Sequence, residues 1–171
     1  MPQARRTEQI VFDVSHHYSI LLALASQARA HMEILVKLAK GTLPWGMAGY
    51  CGVGSRHLQS LAKSAGIDID LVYGRYSSKR HSSGHCWTEY QNKVIDVTAT
   101  QFFRDHIDAP IYLFDKGFDK RYIPLYRNEL ADEVIRCWTR EQNYYCYRDA
   151  LTTITRLYGL SLIRAITEQR V

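Results

Sequence analysis

Three residue types that together perform acyl transfer occur in order along the chain, at Cys51, His85 and Asp96. In such a set a cysteine thiolate attacks a carbonyl, and a histidine takes the thiol proton and later gives it to the leaving amine. A carboxylate orients the histidine and stabilises its cationic form. Because the chain has seven histidines and several aspartates, this order alone is weak evidence. The elements that position the three residues must decide the interpretation.

Cys51 lies in the glycine-rich stretch "WGMAGYCGVGSRHLQSLAKSAGI", residues 45–67. The glycines let the backbone turn sharply and approach other groups closely. The run 55–65 has the apolar stripe of an amphipathic helix, so Cys51 is predicted at or near a helix N-terminus. The unsatisfied N–H groups and the macrodipole of that terminus favour the thiolate. A buried structural cysteine beside a turn is the alternative.

A predicted β-hairpin brings the other two residues together. "HCWTEY" (85–90) and "KVIDVT" (93–98) are separated by two residues, Gln91 and Asn92, of which Asn92 is able to take a positive φ. This register puts Trp87 opposite Asp96, so that His85 and Asp96 share a face as diagonal neighbours. Cys86 points to the opposite face and is interpreted as core packing. A turn longer or shorter by one residue would reverse this parity.

The remaining pattern predicts helices around a small antiparallel sheet, an α+β fold. Apolar residues spaced by four and three predict a long helix from Val14 to Ala39. Its stripe suits either packing within the domain, which we favour, or a homodimer through this N-terminal helix. Residues 69–76 and 110–114 are predicted strands, residues 99–106 a short helix capped by Thr98, and the chain from Asn128 onward helical.

The segment between the first strand and the hairpin, Ser77 to Gly84, is predicted to be a polar loop. It carries positive charge at Lys79 and Arg80, together with His81, and it leads directly into His85. One interpretation is a mobile flap at the rim of a cleft that favours substrates with acidic residues near the attacked amide. The other is an ordinary strand connection with solvated charges.

The composition predicts one globular domain that spans residues 1–171. Of the 171 residues, 46% are hydrophobic and 23% are charged, which is enough to bury a core. No apolar run has the length of a membrane span or signal segment, so we expect a cytoplasmic protein without a membrane partner. The net charge of +5 comes from scattered residues, which disfavours nucleic acid. Four cysteines without a CxxC pair predict reduced thiols.

The stretches "GYCGVGSRHLQSLAKSAGIDIDLVYG", "GHCWTEY" and "KVIDVTATQF" resemble the transglutaminase-like superfamily, a branch of the papain-like cysteine enzymes. In that family a cysteine opens a helix, a histidine lies on one strand and an aspartate on the next. The resemblance covers about residues 45–101. It implies a papain-like catalytic core at 45–103. The helical segment predicted at 1–44 and the strand and C-terminal helices predicted at 104–171 lie outside the resemblance.

The resemblance implies a cysteine-dependent amide hydrolase, such as a protease, a peptide amidase or a protein glutamine deamidase, that acts on a protein or peptide through an acyl-thioenzyme. An acyltransferase or transglutaminase of the same fold and an inactive binding module are the alternatives. No metal or cofactor is expected. The backbone N–H of Cys51 is a candidate oxyanion donor. Further oxyanion or substrate-binding candidates are Trp45, Tyr50 and Trp87.

Overall fold

The computed structural model describes residues 3–38, 47, 49–138, 149–153 and 155–156. The helices are α1 (Gln3–Leu38), α2 (Cys51–Ser64), α3 (Asn128–Trp138) and a 3₁₀ helix (Ala99–Asp105); the strands are β1 (Asp70–Ser77), β2 (Ser82–Tyr90), β3 (Lys93–Asp96), β4 (Tyr112–Asp115) and β5 (Tyr122–Arg127). The strands form one antiparallel sheet in the order β4-β3-β2-β1-β5. The predicted α+β class is therefore confirmed. Within the described residues, every helix is too short or too polar to span a membrane.

The apolar stripe of α1 packs against other elements of the same chain. Its buried positions recur at steps of four and three, as predicted, and contact α2: Leu21, Ala25, Ala28, Met32 and Leu35. The helix begins earlier than the predicted Val14 and ends at Leu38, whereas Ala39 lies outside the described residues. This packing is the favoured alternative from the sequence. A homodimer through α1 stays a prediction.

The β2–β3 hairpin has the predicted register. Tyr90 pairs with Lys93 and Thr88 with Ile95, which a two-residue turn requires. The left-handed residue of the turn is Gln91, with φ 51°, and not the predicted Asn92. The carbonyl of Asn92 accepts the N–H of Lys116 at 2.8 Å, which ties Asn92 to the segment after β4. The left-handed conformation is therefore taken by Gln91, the residue before Asn92.

The sequence did not predict β5, the edge strand beside β1. Its proline, Pro124, lies opposite Gly74, where the β1–β5 register shifts. Proline lacks a ladder donor, so it weakens the strand signal and is confined to edges and bulges. A Cβ at Gly74 would collide with the carbonyl of Ile123 and with the ring of Trp87. Glycine at this position therefore lets β5 and Trp87 approach β1 closely.

The polar connection between β1 and β2 is shorter than predicted. Ser77 pairs with Ser82 and Arg75 with Gly84, so half of the expected loop belongs to strands. The remaining turn, residues 78–81, is closed by the N–H of Ser78, which donates to the carbonyl of His81 at 2.7 Å. An eight-residue flap is therefore wrong in extent. The basic residues at 79–81 lie on a hydrogen-bonded hairpin turn.

The other predicted elements agree in place and differ in detail. The predicted short helix is the 3₁₀ helix Ala99–Asp105, and the predicted strand at 110–114 is β4. Thr98 precedes the 3₁₀ helix, but its side chain makes no capping bond. After α3, the predicted apolar position Leu151 is buried. The later predicted positions Ile154, Leu157, Leu162 and Ile166 lie outside the described residues.

Candidate active site

Cys51 is the first residue of α2, as predicted, and only 4% of it is exposed. The glycines that follow let this end of the helix pack closely. A Cβ at Gly52 would lie 2.6 Å from Cγ2 of Ile135 in α3, and one at Gly54 would lie 2.9 Å from Cγ2 of Thr98. Because the N–H of a first helical residue has no intrahelical acceptor, the backbone N–H of Cys51 is not used within α2.

His85 and Asp96 form a buried hydrogen-bonded pair. Their side chains are fully buried, and Nε2 of His85 lies 2.5 Å from Oδ2 of Asp96. The same Oδ2 accepts the hydroxyl of Tyr122 at 2.9 Å. The other oxygen, Oδ1, accepts the backbone N–H of Thr98 at 2.8 Å and the Thr98 hydroxyl at 2.9 Å. The Thr98 side chain therefore fixes this carboxylate instead of capping the 3₁₀ helix, and the predicted shared face is confirmed.

Cys51 meets both faces of β2. Its thiol is close enough to the side chains of His85 and Cys86, and to the backbone N–H of Cys86, for hydrogen bonding with each of these groups to lower its pKa. The β2–β3 pairs run from Tyr90 to Thr88, which leaves the edge of β2 at 85–87 open to the start of α2. A thiol at that edge can reach two consecutive residues whose side chains point to opposite faces.

Cys86 was interpreted from the sequence as core packing alone. It is fully buried among the residues under α2, as that interpretation requires, but it also contacts the Cys51 thiol. The signal was present in the strand parity, because the face opposite His85 is the face that α2 covers. The sequence did not show where β3 stops pairing with β2. It is this end of the pairing that leaves the edge of β2 open to Cys51.

The hydrogen bonds favour a thiolate on Cys51 and a proton on His85. The Cys86 thiol donates to the sulfur of Cys51 and holds the pKa of Cys51 well below its ordinary value; the bond and charge of His85 act in the same direction and together they outweigh burial. Burial lowers the pKa of His85, but Asp96 and Cys51 outweigh it and raise that pKa to about 10. The attraction of His85 also lowers the pKa of Asp96 against its burial. At neutral pH these shifts favour a thiolate–imidazolium–carboxylate row.

Gln101 is a site residue that the sequence analysis missed. Its Nε2 lies 3.3 Å from Nδ1 of His85 and donates to the carbonyl of Thr98 at 3.2 Å. Asp96 therefore holds the imidazole at Nε2, and the amide lies beside Nδ1, to which it can donate only when Nδ1 carries no proton. A glutamine in a short 3₁₀ helix carries no spacing signal that would reveal this contact.

The three candidate oxyanion or substrate-binding side chains are placed differently. Trp45 lies outside the described residues. Tyr50 precedes α2 and is 2% exposed, and Trp87 is 1% exposed. The Trp87 ring packs against His85 with 5.9 Å between ring centroids, and its N–H donates to Glu89 at 3.0 Å. Trp87 therefore packs against the imidazole ring and presents almost no surface to a substrate.

Comparison with protein-family models, with curated proteins and with solved structures found no match to this chain. The resemblance to the transglutaminase-like superfamily thus stays a prediction from the sequence pattern. A functional assignment must rest on the arrangement of Cys51, His85 and Asp96.

Proposed function

We propose that this protein is a cysteine-dependent amide hydrolase that acts through an acyl-thioenzyme, with Cys51 as nucleophile, His85 as acid and base, and Asp96 as the orienting carboxylate. One observation carries the proposal. The thiol of Cys51 is close enough to the imidazole of His85 for that ring to lower its pKa, and the imidazole is itself 2.5 Å from a fully buried carboxylate. A buried ion pair of this kind is expensive unless every polar atom is satisfied, and strongly perturbed groups of complementary chemistry are typical of active sites.

The reaction follows from the charges. The Cys51 thiolate attacks the amide carbon, and the carbonyl π electrons move to the oxygen. When this intermediate collapses, the carbon–nitrogen bond breaks and the leaving amine takes the proton of His85, which leaves a thioester on Cys51. Water then attacks the thioester and gives a proton to His85, and collapse expels the thiolate and releases the carboxylic acid.

The proposed oxyanion donor is the backbone N–H of Cys51. It is free of intrahelical bonding at the first position of α2, beside the sulfur that attacks. The positive end of the helix macrodipole adds to its effect on a developing negative charge. A backbone donor is consistent with Tyr50 and Trp87 being buried.

The proposal includes the finer fold assignment. In chain order a helix that starts with cysteine is followed by one strand with histidine and a neighbouring strand with aspartate. This order and the β2–β3 adjacency support a transglutaminase-like, papain-like core over residues 45–103. The acyltransferase alternative uses the same first half of the reaction and differs only in the group that attacks the thioester.

The test is a pool of glutamine- and asparagine-containing peptides incubated with the protein in heavy-oxygen water, with or without a primary amine. Mass spectrometry reads the products. Hydrolysis predicts solvent oxygen in the product carboxylate and an acyl adduct on Cys51 in acid-quenched protein. Amine-bearing products without solvent oxygen indicate the acyltransferase instead. The matched variants are Cys51→Ala, which must be inactive, and Cys137→Ala at an exposed cysteine, which must retain activity.

A further inference from the structure

A basic cavity of about 590 Å³ lies where the 78–81 turn meets the end of the 3₁₀ helix and the start of β5. Its charged lining consists of five basic residues and one acidic residue: Lys79, Arg80, Arg104, Lys120, Arg121 and Asp105. Arg121 is paired with the carboxylate of Asp119, at 2.6 Å from Nη2 to Oδ2. The other four basic residues face a single carboxylate, so the cavity carries a surplus of positive charge. We call it the basic groove.

Two arginines of the basic groove are fixed by backbone carbonyls. Nη1 of Arg80 donates to the carbonyl of Arg104 at 2.8 Å, and Nη1 of Arg121 donates to the carbonyl of Asp105 at 3.0 Å. These bonds join the hairpin turn and β5 to the end of the 3₁₀ helix. Positive charges held in place before binding lose less conformational entropy when a ligand arrives.

A second cavity extends from the basic groove to Gln101, a neighbour of His85. It has a volume of about 410 Å³, shares Arg80, Arg104 and Asp105 with the basic groove, and extends along Phe102 to Gln101. Gln101 is the residue whose amide lies 3.3 Å from Nδ1 of His85. A chain that leaves the basic groove through this second cavity therefore arrives one side chain from the imidazole.

We propose that the two cavities form a binding track for a substrate polypeptide, with its acidic residues in the basic groove and its target amide directed past Gln101 toward His85. The part of this inference that directs an amide toward His85 rests on the proposed function. The fixed charges line cavities that lead toward a proposed site for amide chemistry, instead of following a helix face as in nucleic-acid proteins. An acidic protein segment fits the track at both ends, because its carboxylates suit the basic groove and its amides suit the proposed chemistry at His85.

The test measures binding apart from chemistry, in Cys51→Ala protein. The probes are a fluorescein-labelled peptide with four glutamates beside a single glutamine, its reversed sequence, a matched peptide with serines in place of the glutamates, and single-stranded oligothymidylate. Fluorescence anisotropy gives Kd at low and high ionic strength. The groove variant is Lys79→Ser/Lys120→Ser. The matched charge control is Lys37→Ser/Lys63→Ser, at exposed lysines of α1 and α2.

We expect at least one glutamate peptide to bind more tightly than the serine peptide and to weaken with salt. In the groove variant the Kd of the glutamate peptide rises roughly 2- to 30-fold, since each exposed charge pair contributes about 0.2–1 kcal/mol. The charge control Lys37→Ser/Lys63→Ser leaves this Kd unchanged. Equal effects of the two double variants, no preference for glutamate, or tighter binding of the oligonucleotide with the same dependence on the groove would overturn the inference. Thioester formation is read separately, by mass spectrometry of the parent protein, in which Cys51 is intact. A thioester that forms equally from the glutamate and serine peptides overturns the track but keeps the proposed function. Glutamate-dependent binding without any thioester does the reverse.

Discussion

Replacing Asp96 with asparagine should disable the site while leaving the fold in place. The side-chain oxygen Oδ1 accepts two bonds from Thr98, one from its backbone N–H and one from its hydroxyl. An asparagine must keep its own oxygen there, because a backbone N–H cannot accept from the amide nitrogen. The NH₂ group then takes the place of Oδ2 and points at Nε2 of His85.

This orientation forces the wrong tautomer on His85. In the parent, Nε2 donates toward a carboxylate oxygen 2.5 Å away. Opposite an NH₂ group, Nε2 must become an acceptor, and the imidazole carries its proton on Nδ1 as a neutral ring. Nδ1 can then no longer take the proton of the Cys51 thiol. Tyr122 tolerates the change, since its hydroxyl can accept where it formerly donated.

The expected magnitudes separate catalysis from stability. Loss of general acid–base catalysis lowers kcat roughly 10²- to 10⁴-fold. The lost charge-assisted bond costs about 1.5–3 kcal/mol of unfolding free energy, partly offset because a buried charge is no longer desolvated. A domain of this size then melts only about 2–4 °C lower per kcal/mol lost. The falling limb of the pH–rate profile, set in the parent by the raised pKa of His85 near 10, moves to lower pH.

The assay combines steady-state kinetics, thermal melting and the ¹⁵N chemical shifts of the His85 ring. The control is Asp132→Asn, which removes a largely buried carboxylate of α3 that pairs with Arg56 and Arg136 instead of with the imidazole. This control should lose stability but keep kcat. An Asp96→Asn protein with normal melting, parental kcat and an Nε2-protonated ring would refute the reasoning.

Three further predictions concern the surroundings of the site. Cys86→Ala should raise the pKa of Cys51 and shift the rising limb of its alkylation profile to higher pH, because it removes the thiol that donates to the thiolate; Cys86→Ser should shift it less. His57 is buried with a pKa lowered to about 3, mainly by burial. Below about pH 6.5 its unfolded form binds a proton that its folded form does not, so unfolding free energy should fall by about 1.4 kcal/mol per pH unit as pH drops toward 3, and His57→Gln should remove this slope in urea titrations. Gly52→Ala should destabilise the fold despite better helix propensity, since its Cβ would lie 2.6 Å from the stiff Cγ2 of Ile135, at an overpacking cost of about 1–3 kcal/mol.

Each of these predictions has a matched control. Cys137→Ala alters an exposed thiol of α3 and should leave the Cys51 profile in place. His16→Gln changes an exposed histidine of α1, and an equal loss of slope there would contradict the assignment to the buried ring. For the glycine, the double variant Gly52→Ala/Ile135→Ala should lose less than the two single losses together; simple additivity would show that the contact does not matter.

Local rules were sufficient for the hairpin and for the start of α2. A two-residue turn and strict side-chain alternation determine which residues share a face, so the approach of His85 to Asp96 followed from counting. The glycines around Cys51 and the apolar stripe after it located the helix. The long helix α1 was recognisable for the same reason, since its stripe from Leu21 to Leu35 has one unbroken period.

The remaining features depend on contacts between distant segments. The strand β5 was missed because Pro124 obscures the alternation of an edge strand, and its place beside Gly74 is decided by β1 and Trp87. The bond between Cys86 and Cys51 depends on where β3 stops pairing. The basic groove joins residues from three separate parts of the chain. No local sequence pattern predicts such contacts between distant segments.

The most direct test of the proposed acyl-thioenzyme chemistry is the pH dependence of alkylation at Cys51, read by peptide mapping after iodoacetamide treatment in the parent and in His85→Gln. If His85 and Cys86 hold the sulfur as a thiolate, Cys51 is labelled at mildly acidic pH, where free cysteine is labelled slowly. His85→Gln then moves the rising limb at Cys51 to higher pH. A rising limb at Cys51 that coincides with that of free cysteine, and that His85→Gln does not move, would contradict the central claim.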